Sequence, residues 1–150
     1  FALNGSLRDR FGSLDFERLG GLAKVIPLTG LVFGFAAFAS IGLPGFTNFV
    51  GEVMIFFGGF REFSGEFTML QWATILALWG VVISAVYMLR AYRSVFKGEL
   101  ASKLGESRDL SWSEKVPMFL LLGTLLVTGF VPELLLQFVR PALEGILAGL

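Results

Sequence analysis

Residues 25–51 carry no ionisable side chain, yet this run contains a helix-breaking cluster, Gly42-Leu43-Pro44-Gly45, and an acid, Glu52, stands immediately after it. Two further uncharged runs follow, residues 67–89 and 116–132. A helix needs about 20 apolar residues to cross the hydrocarbon of a bilayer, within a range of roughly 17–25. The second run fits that length and the third fits its short end. The first is too long for one straight span, and the Gly/Pro cluster explains how it is accommodated. Pro44 has no N–H to donate and clashes with the preceding turn, while Gly42 and Gly45 accept backbone angles that other residues resist. In hydrocarbon, broken backbone is tolerated only where it is buried in protein or lines a watered cavity.

The composition agrees with a membrane environment. The chain is 55% hydrophobic with 17 Phe, 16% charged residues and a mean hydropathy of +0.75, far from a soluble domain. The expected class is therefore all-α integral membrane, with three transmembrane crossings, the first interrupted at Gly42–Gly45 as a discontinuous helix. There is no Cys and no His, so zinc, haem and iron–sulfur ligation through those residues, and Ser-His or Cys-His catalysis, are excluded within these residues. A net charge of zero gives no electrostatic case for nucleic acid. The opening FALNGSLRDR has no basic-then-apolar layout, and no targeting peptide is expected there.

Lys and Arg set the orientation. Arg8, Arg10, Arg18 and Lys24 precede the first run, and Arg90, Arg93, Lys97, Lys103, Arg108 and Lys115 separate the second from the third. Only Arg61 and Arg140 fall in the other two gaps. Three crossings place the first ten on one side, which the positive-inside rule makes cytoplasmic. Counting the first run as two crossings would erase this asymmetry. The expected organisation is a cytoplasmic connector over 1–24, a discontinuous helix over 25–60, a helix over 67–97, a cytoplasmic loop over 98–112, a helix over 113–137 and an interfacial tail over 138–150. Within the first crossing, helices are expected near 25–41 and 48–60. Ser111 and Glu114 have the spacing of a capping box that opens the last helix. Trp72, Trp112 and Tyr92 near run ends suit interfacial anchoring, and most Phe are expected to face lipid or other helices.

Glu52 is the candidate functional residue, a proton-carrying group beside a broken helix. It lies one turn into the second half-helix, and acids at such depth are costly and mark ion or proton paths. Thr47 and Asn48 are candidates to cap that half-helix or to extend a polar axis. The plainer alternative is a kinked helix whose lone Glu makes a hydrogen bond across a helix interface. The glycines of GEVMIFFGG are read as allowing close helix contact, and Arg90, Arg93 and Lys97 as an orientation signal.

The stretch GLPGFTNFVGE resembles the signature of the antiporter-like membrane subunits of respiratory complex I, the proton-pumping NADH–quinone oxidoreductase. RLGGLAKVIP is similar to the connector leading into that broken helix, ISAVYMLRAYRSVFKG to the following helix and its basic exit, and RDLSWSEKVPMFLLL with TGFVPELLL to the last helix. Glu after FVG favours the chain M type, because the related chain L, chain N and multisubunit antiporter proteins usually have Lys near this point. The resemblance implies the last three of fourteen crossings, with Glu52 as the terminal protonatable group of a hydrophilic axis, coupled to a Lys that would precede residue 1. It implies a bacterial inner membrane or an equivalent energy-coupling membrane, with chain L-type and chain N-type neighbours and the lipid bilayer as partners. It also implies no cofactor or metal in this chain, with flavin, iron–sulfur clusters and quinone in other subunits. The enzyme label would then attach to the complex. A multisubunit cation/proton antiporter subunit and a structural membrane anchor remain as alternatives.

Overall fold

A computed structural model describes residues 1–16, 18–61, 65–100 and 108–148, with side chains up to residue 145. Residues 101–107 of the expected cytoplasmic loop lie outside them. Among the described residues there are helices and turns and no strand. Helix α1 is Ala2–Phe11, followed by a 3-10 turn at Leu22–Lys24. Helices α2 (Pro27–Ile41) and α3 (Thr47–Phe60) flank the Gly/Pro cluster. Helix α4 is Met69–Phe96, α5 is Trp112–Phe130 and α6 is Glu133–Ala148. Among the described residues only α4 and α5 have both the length and the apolarity to cross a membrane unaided; α2 and α3 are shorter apolar helices.

Local chemistry accounts for most of the boundaries. Pro27 opens α2 at a position where its missing N–H costs nothing. The α2 terminus is closed by Gly42 in the left-handed region (φ 77°), with Gly42 N–H donating to the Ala39 carbonyl and Leu43 N–H donating back to that of Phe38. These two bonds satisfy carbonyls that the end of a helix leaves orphaned, and glycine is the residue that takes this conformation without penalty. Ser111 and Glu114 form the expected capping box at the start of α5, and Thr68 with Gln71 forms a second one at the start of α4.

One stretch departs from expectation. The helix expected over 113–137 is divided: α5 stops at Phe130 and α6 begins at Glu133. Pro132 has no N–H to continue the ladder and would clash with the carbonyl four residues back, and it pushes Val131 out of the helical region (φ −124°, ψ 70°). The tail beyond 138 is consequently the continuation of α6, carrying an exposed Arg140–Glu133 ion pair at 3.2 Å. The connector over 1–24 carries α1 and the 3-10 turn. Leu7, Leu19 and Leu22 from it join Ile26, Val95 and Phe96 in the main buried cluster, where α1 and the 3-10 turn close one end of the α2–α4 pair.

Helix α4 is the spine against which the broken pair lies. Gly30 and Gly34 of α2 pack against the rings of Phe96 and Tyr92, whereas Gly59 of α3 packs against Thr74 and its carbonyl accepts a bond from Gln71 at 3.1 Å. Thr74 and Phe96 are about 33 Å apart along α4 at 1.5 Å per residue, so α2 and α3 occupy opposite ends of one long helix. Helix α5 runs beside α2 from its first turn, where Val32, Leu110 and Met118 cluster, to the break, where Gly129 touches the backbone of Gly45 and Phe46.

Candidate functional site

The break is a five-residue joint, 42–46, between the last residue of α2 and the first of α3. Both its glycines have positive φ, 77° at Gly42 and 101° at Gly45. Pro44 is exposed at the apex, while Phe46 turns inward and is 6% exposed. The two glycines face different neighbours. Gly45 lies against the Phe130 ring of α5, and Gly42 lies against the carboxyl group of Glu52.

Glu52 is half-buried in α3. Helical side chains lean toward the N-terminus of their own helix, and this lean carries the carboxylate back across the joint to the end of α2. The acid therefore touches both halves of the interrupted pair. Among the described residues it makes no ion pair and no hydrogen bond. Asn48 sits one turn before Glu52 on the same face of α3 and is exposed.

The capping role expected of Thr47 and Asn48 is corrected by the structure. The residue before α3 is Phe46, and no side chain caps the helix. Thr47 instead donates its hydroxyl to the Leu125 carbonyl at 2.9 Å and meets the Thr128 hydroxyl of α5. Thr128 in turn donates to the Thr124 carbonyl at 2.7 Å. A hydroxyl at the first position of a half-helix can satisfy its own turn or reach sideways, and a close neighbour settles the choice. That neighbour is close because Gly129 has no side chain: a Cβ there would collide with the Gly45 carbonyl and the Phe46 backbone.

The opposite end of α2 holds a second polar cluster that the sequence did not disclose. Asp109 accepts from Leu28 N–H at 2.7 Å, from Thr29 N–H at 3.0 Å, from the Thr29 hydroxyl at 2.7 Å and from Leu110 N–H at 2.8 Å. It thereby caps α2 across 80 residues of chain, at the end where the helix dipole favours an anion. Partial burial pushes its pKa up, but the bonds from the Thr29 hydroxyl and the Leu110, Leu28 and Thr29 amides outweigh burial and hold it below the usual carboxylate range. Beside it, Arg10 of α1 pairs with Glu114 at 2.6 Å and donates to the Arg108 carbonyl at 3.0 Å, while Ser6 donates to Glu114 at 2.6 Å. These contacts fasten α1 and the start of α5 to one another. Gln71 carried a sequence signal, its capping-box spacing from Thr68. Asp109 carried none, because its partners lie on another helix.

Among the described residues, no three acidic side chains converge as a metal site would require. Glu52 is the one ionisable side chain between Val25 and Phe60, so the break carries a single titratable group in an otherwise uncharged stretch.

Comparison with known proteins bears on these features. A family profile described as "NADH:quinone oxidoreductase/Mrp antiporter, TM" matches residues 1–86. The chain is 34% identical over 153 residues to NADH-quinone oxidoreductase subunit M of Escherichia coli, covering 97% of this chain and 28% of that protein. It is 33% identical over 143 residues to the subunit M of Rhodobacter capsulatus, covering 95% and 27%. Against the Rickettsia felis subunit M it is 30% identical over 148 residues, covering 98% and 29%. The chain thus spans less than a third of the length of these curated relatives.

Proposed function

The chain belongs to the NADH:quinone oxidoreductase/Mrp antiporter transmembrane family, and from that premise we propose that it forms part of a proton-translocating membrane subunit of chain M type. In this reading α2 and α3 are two halves of one interrupted crossing, α4 is the second crossing and α5 the third. Glu52 is the group that holds and passes the proton. The observation that carries the reading is the Glu52 carboxylate itself. It sits in a charge-free apolar stretch, spans the joint between two half-helices, and lacks an ionic partner among the described residues.

Two half-helices of 15 and 14 residues are each too short to cross alone, at roughly 17–25 residues per crossing. Their packing at opposite ends of the 28-residue α4 supports a single passage. The joint interrupts the regular helical ladder, an arrangement that suits a hydrated cavity or buried protein and is costly facing lipid. A proton-carrying acid placed there gains access to water without an open pore. Flavin, iron–sulfur clusters and quinone belong, in this reading, to other subunits, so this chain contributes a switchable charge and no redox step. Its neighbours are chain L-type and chain N-type membrane subunits, and Glu52 is coupled to a cationic side chain outside these residues. The ten cations within residues 1–24 and 90–115 support a cytoplasmic side for residues 1–24 and 98–112, in a bacterial inner membrane or an equivalent energy-coupling membrane. Within the family, Glu at position 52 counts against the sodium/proton antiporter alternative.

Charge state is the discriminating variable. Glu52→Gln keeps size but cannot ionise, Glu52→Asp keeps the acid on a shorter stem, and Glu52→Ala adds a packing loss of about 1–2 kcal/mol. A proton role demands that all three assemble and that NADH-driven proton uptake by membrane vesicles fall in the order Asp > Gln ≈ Ala. A structural acid demands instead that losses follow complex content, with Gln the mildest. Full proton uptake by the Gln variant ends the proposal.

A further inference from the structure

The position of Glu52 depends on what is missing at residue 42. Gly42 takes the left-handed conformation that ends α2, which already favours glycine. Its open side is also occupied: a Cβ built on Gly42 would overlap Cδ and both carboxylate oxygens of Glu52. No such double demand exists at Gly45, whose Cβ would meet only the Phe130 ring. Positive φ alone accounts for a glycine at each position. It does not account for an acid ten residues onward in the chain resting its carboxylate on one of them.

We propose that Gly42 is a positioning residue for Glu52: the missing side chain leaves a seat that fixes the carboxylate against the end of α2. The acid's location is thereby set by the joint, and the two half-helices are registered to each other partly through it. The functional consequence rests on the proton role proposed for Glu52. The seat itself is a packing arrangement that stands or falls separately. Because a carboxylate is the far end of a flexible side chain, it yields to a new Cβ before the backbone does. Gly42→Ala therefore displaces the acid from its place, on top of a backbone strain that Gly45→Ala shares.

The test uses the assembled complex in membrane vesicles. Misplacing a reacting group by about 1 Å can cost on the order of a hundredfold, so Gly42→Ala is expected to lower NADH-driven proton uptake at least several-fold at normal complex content. Glu52→Asp shortens the stem and draws the carboxylate clear of the new Cβ. The side-chain preference at position 52 should therefore invert: Glu outperforms Asp in the parent, and Asp matches or outperforms Glu in the Gly42→Ala background. In a Gly45→Ala background, which adds comparable backbone strain away from the acid, Glu keeps its advantage. Proton uptake by Gly42→Ala at the parent level, or an unchanged Glu-over-Asp preference, overturns the proposal. If Gly42→Ala does not assemble, Gly42→Ala/Glu52→Ala decides: recovery of assembly supports the seat, and continued failure assigns glycine at 42 to backbone strain and overturns it. Should Glu52→Gln pump fully, the proton role falls. The seat is then judged by electron cryomicroscopy of Gly42→Ala, where a carboxylate still resting on residue 42 refutes it.

Discussion

Replacing Asp109 by Ala removes the only side-chain cap of α2 among the described residues, and its effect can be worked from the contacts. Four donors converge on this carboxylate at 2.7–3.0 Å: the Leu28 and Thr29 amides, the Thr29 hydroxyl and the Leu110 amide. Losing an N-terminal cap costs about 0.5–2 kcal/mol, and the favourable placement of an anion at a helix N-terminus adds roughly 0.3–1 kcal/mol. Asp109 is only partly buried, so a net of about 1–2 kcal/mol is the reasonable figure, equivalent to a factor of about 5–30 in a local opening equilibrium. Hydrogen exchange of the assembled complex, read by mass spectrometry on peptides covering residues 26–31, should show the first turn of α2 exchanging faster by that factor. Peptides from the middle of α4 should be unaffected. Asp109→Asn keeps one acceptor oxygen and turns an NH₂ toward a donor, so it should fall between Ala and the parent. The pH dependence follows from the direction of the shift. A carboxylate whose folded pKa is depressed contributes fully above its unfolded pKa, about 3.9, and the contribution is lost as pH falls through the folded value. The Asp-to-Ala difference should therefore be constant across neutral pH and shrink only below the ordinary carboxylate range. Exchange at Leu28 and Thr29 within twofold of the parent in the Ala variant would refute the capping argument.

Gly129→Ala should loosen the contact between α5 and the joint. The new Cβ meets backbone of Gly45 and Phe46, which cannot swing aside, so an overpacking cost of about 1–3 kcal/mol is expected, seen as a lower temperature for heat-induced dissociation of the complex; an unchanged dissociation temperature would contradict it. Orientation is checked by a single cysteine at Glu99, an exposed position after α4, in a background without other reactive thiols. Labelling by an impermeant maleimide only from the cytoplasmic face agrees with the positive-inside reading, and labelling only from outside inverts it.

Much of the architecture was legible because its determinants are local. Uncharged runs announce apolar helices whatever surrounds them, since a stretch without charge enters hydrocarbon with no partner to offset its burial. Gly42 and Pro44 announce the end of α2, because a left-handed residue and a missing N–H act within one turn. Ser111 and Glu114 announce the start of α5 for the same reason. The stop at Phe130 is equally local, written in Pro132, but the apolar continuity of Leu134–Leu136 masks it. What the sequence could not determine is where polar groups on separate helices end up. An orphan amide at the start of α2 donates to any nearby anion, and only packing brings Asp109 there. A threonine hydroxyl at the joint bonds whichever carbonyl is closest, and the side-chain-free approach of Gly129 makes that one Leu125. The reach of Glu52 back to Gly42 likewise needs both half-helices in place. Apolar periodicity and backbone propensity are properties of a segment, whereas a hydrogen bond or a steric seat is a property of two segments, and only the tertiary structure decides which two meet.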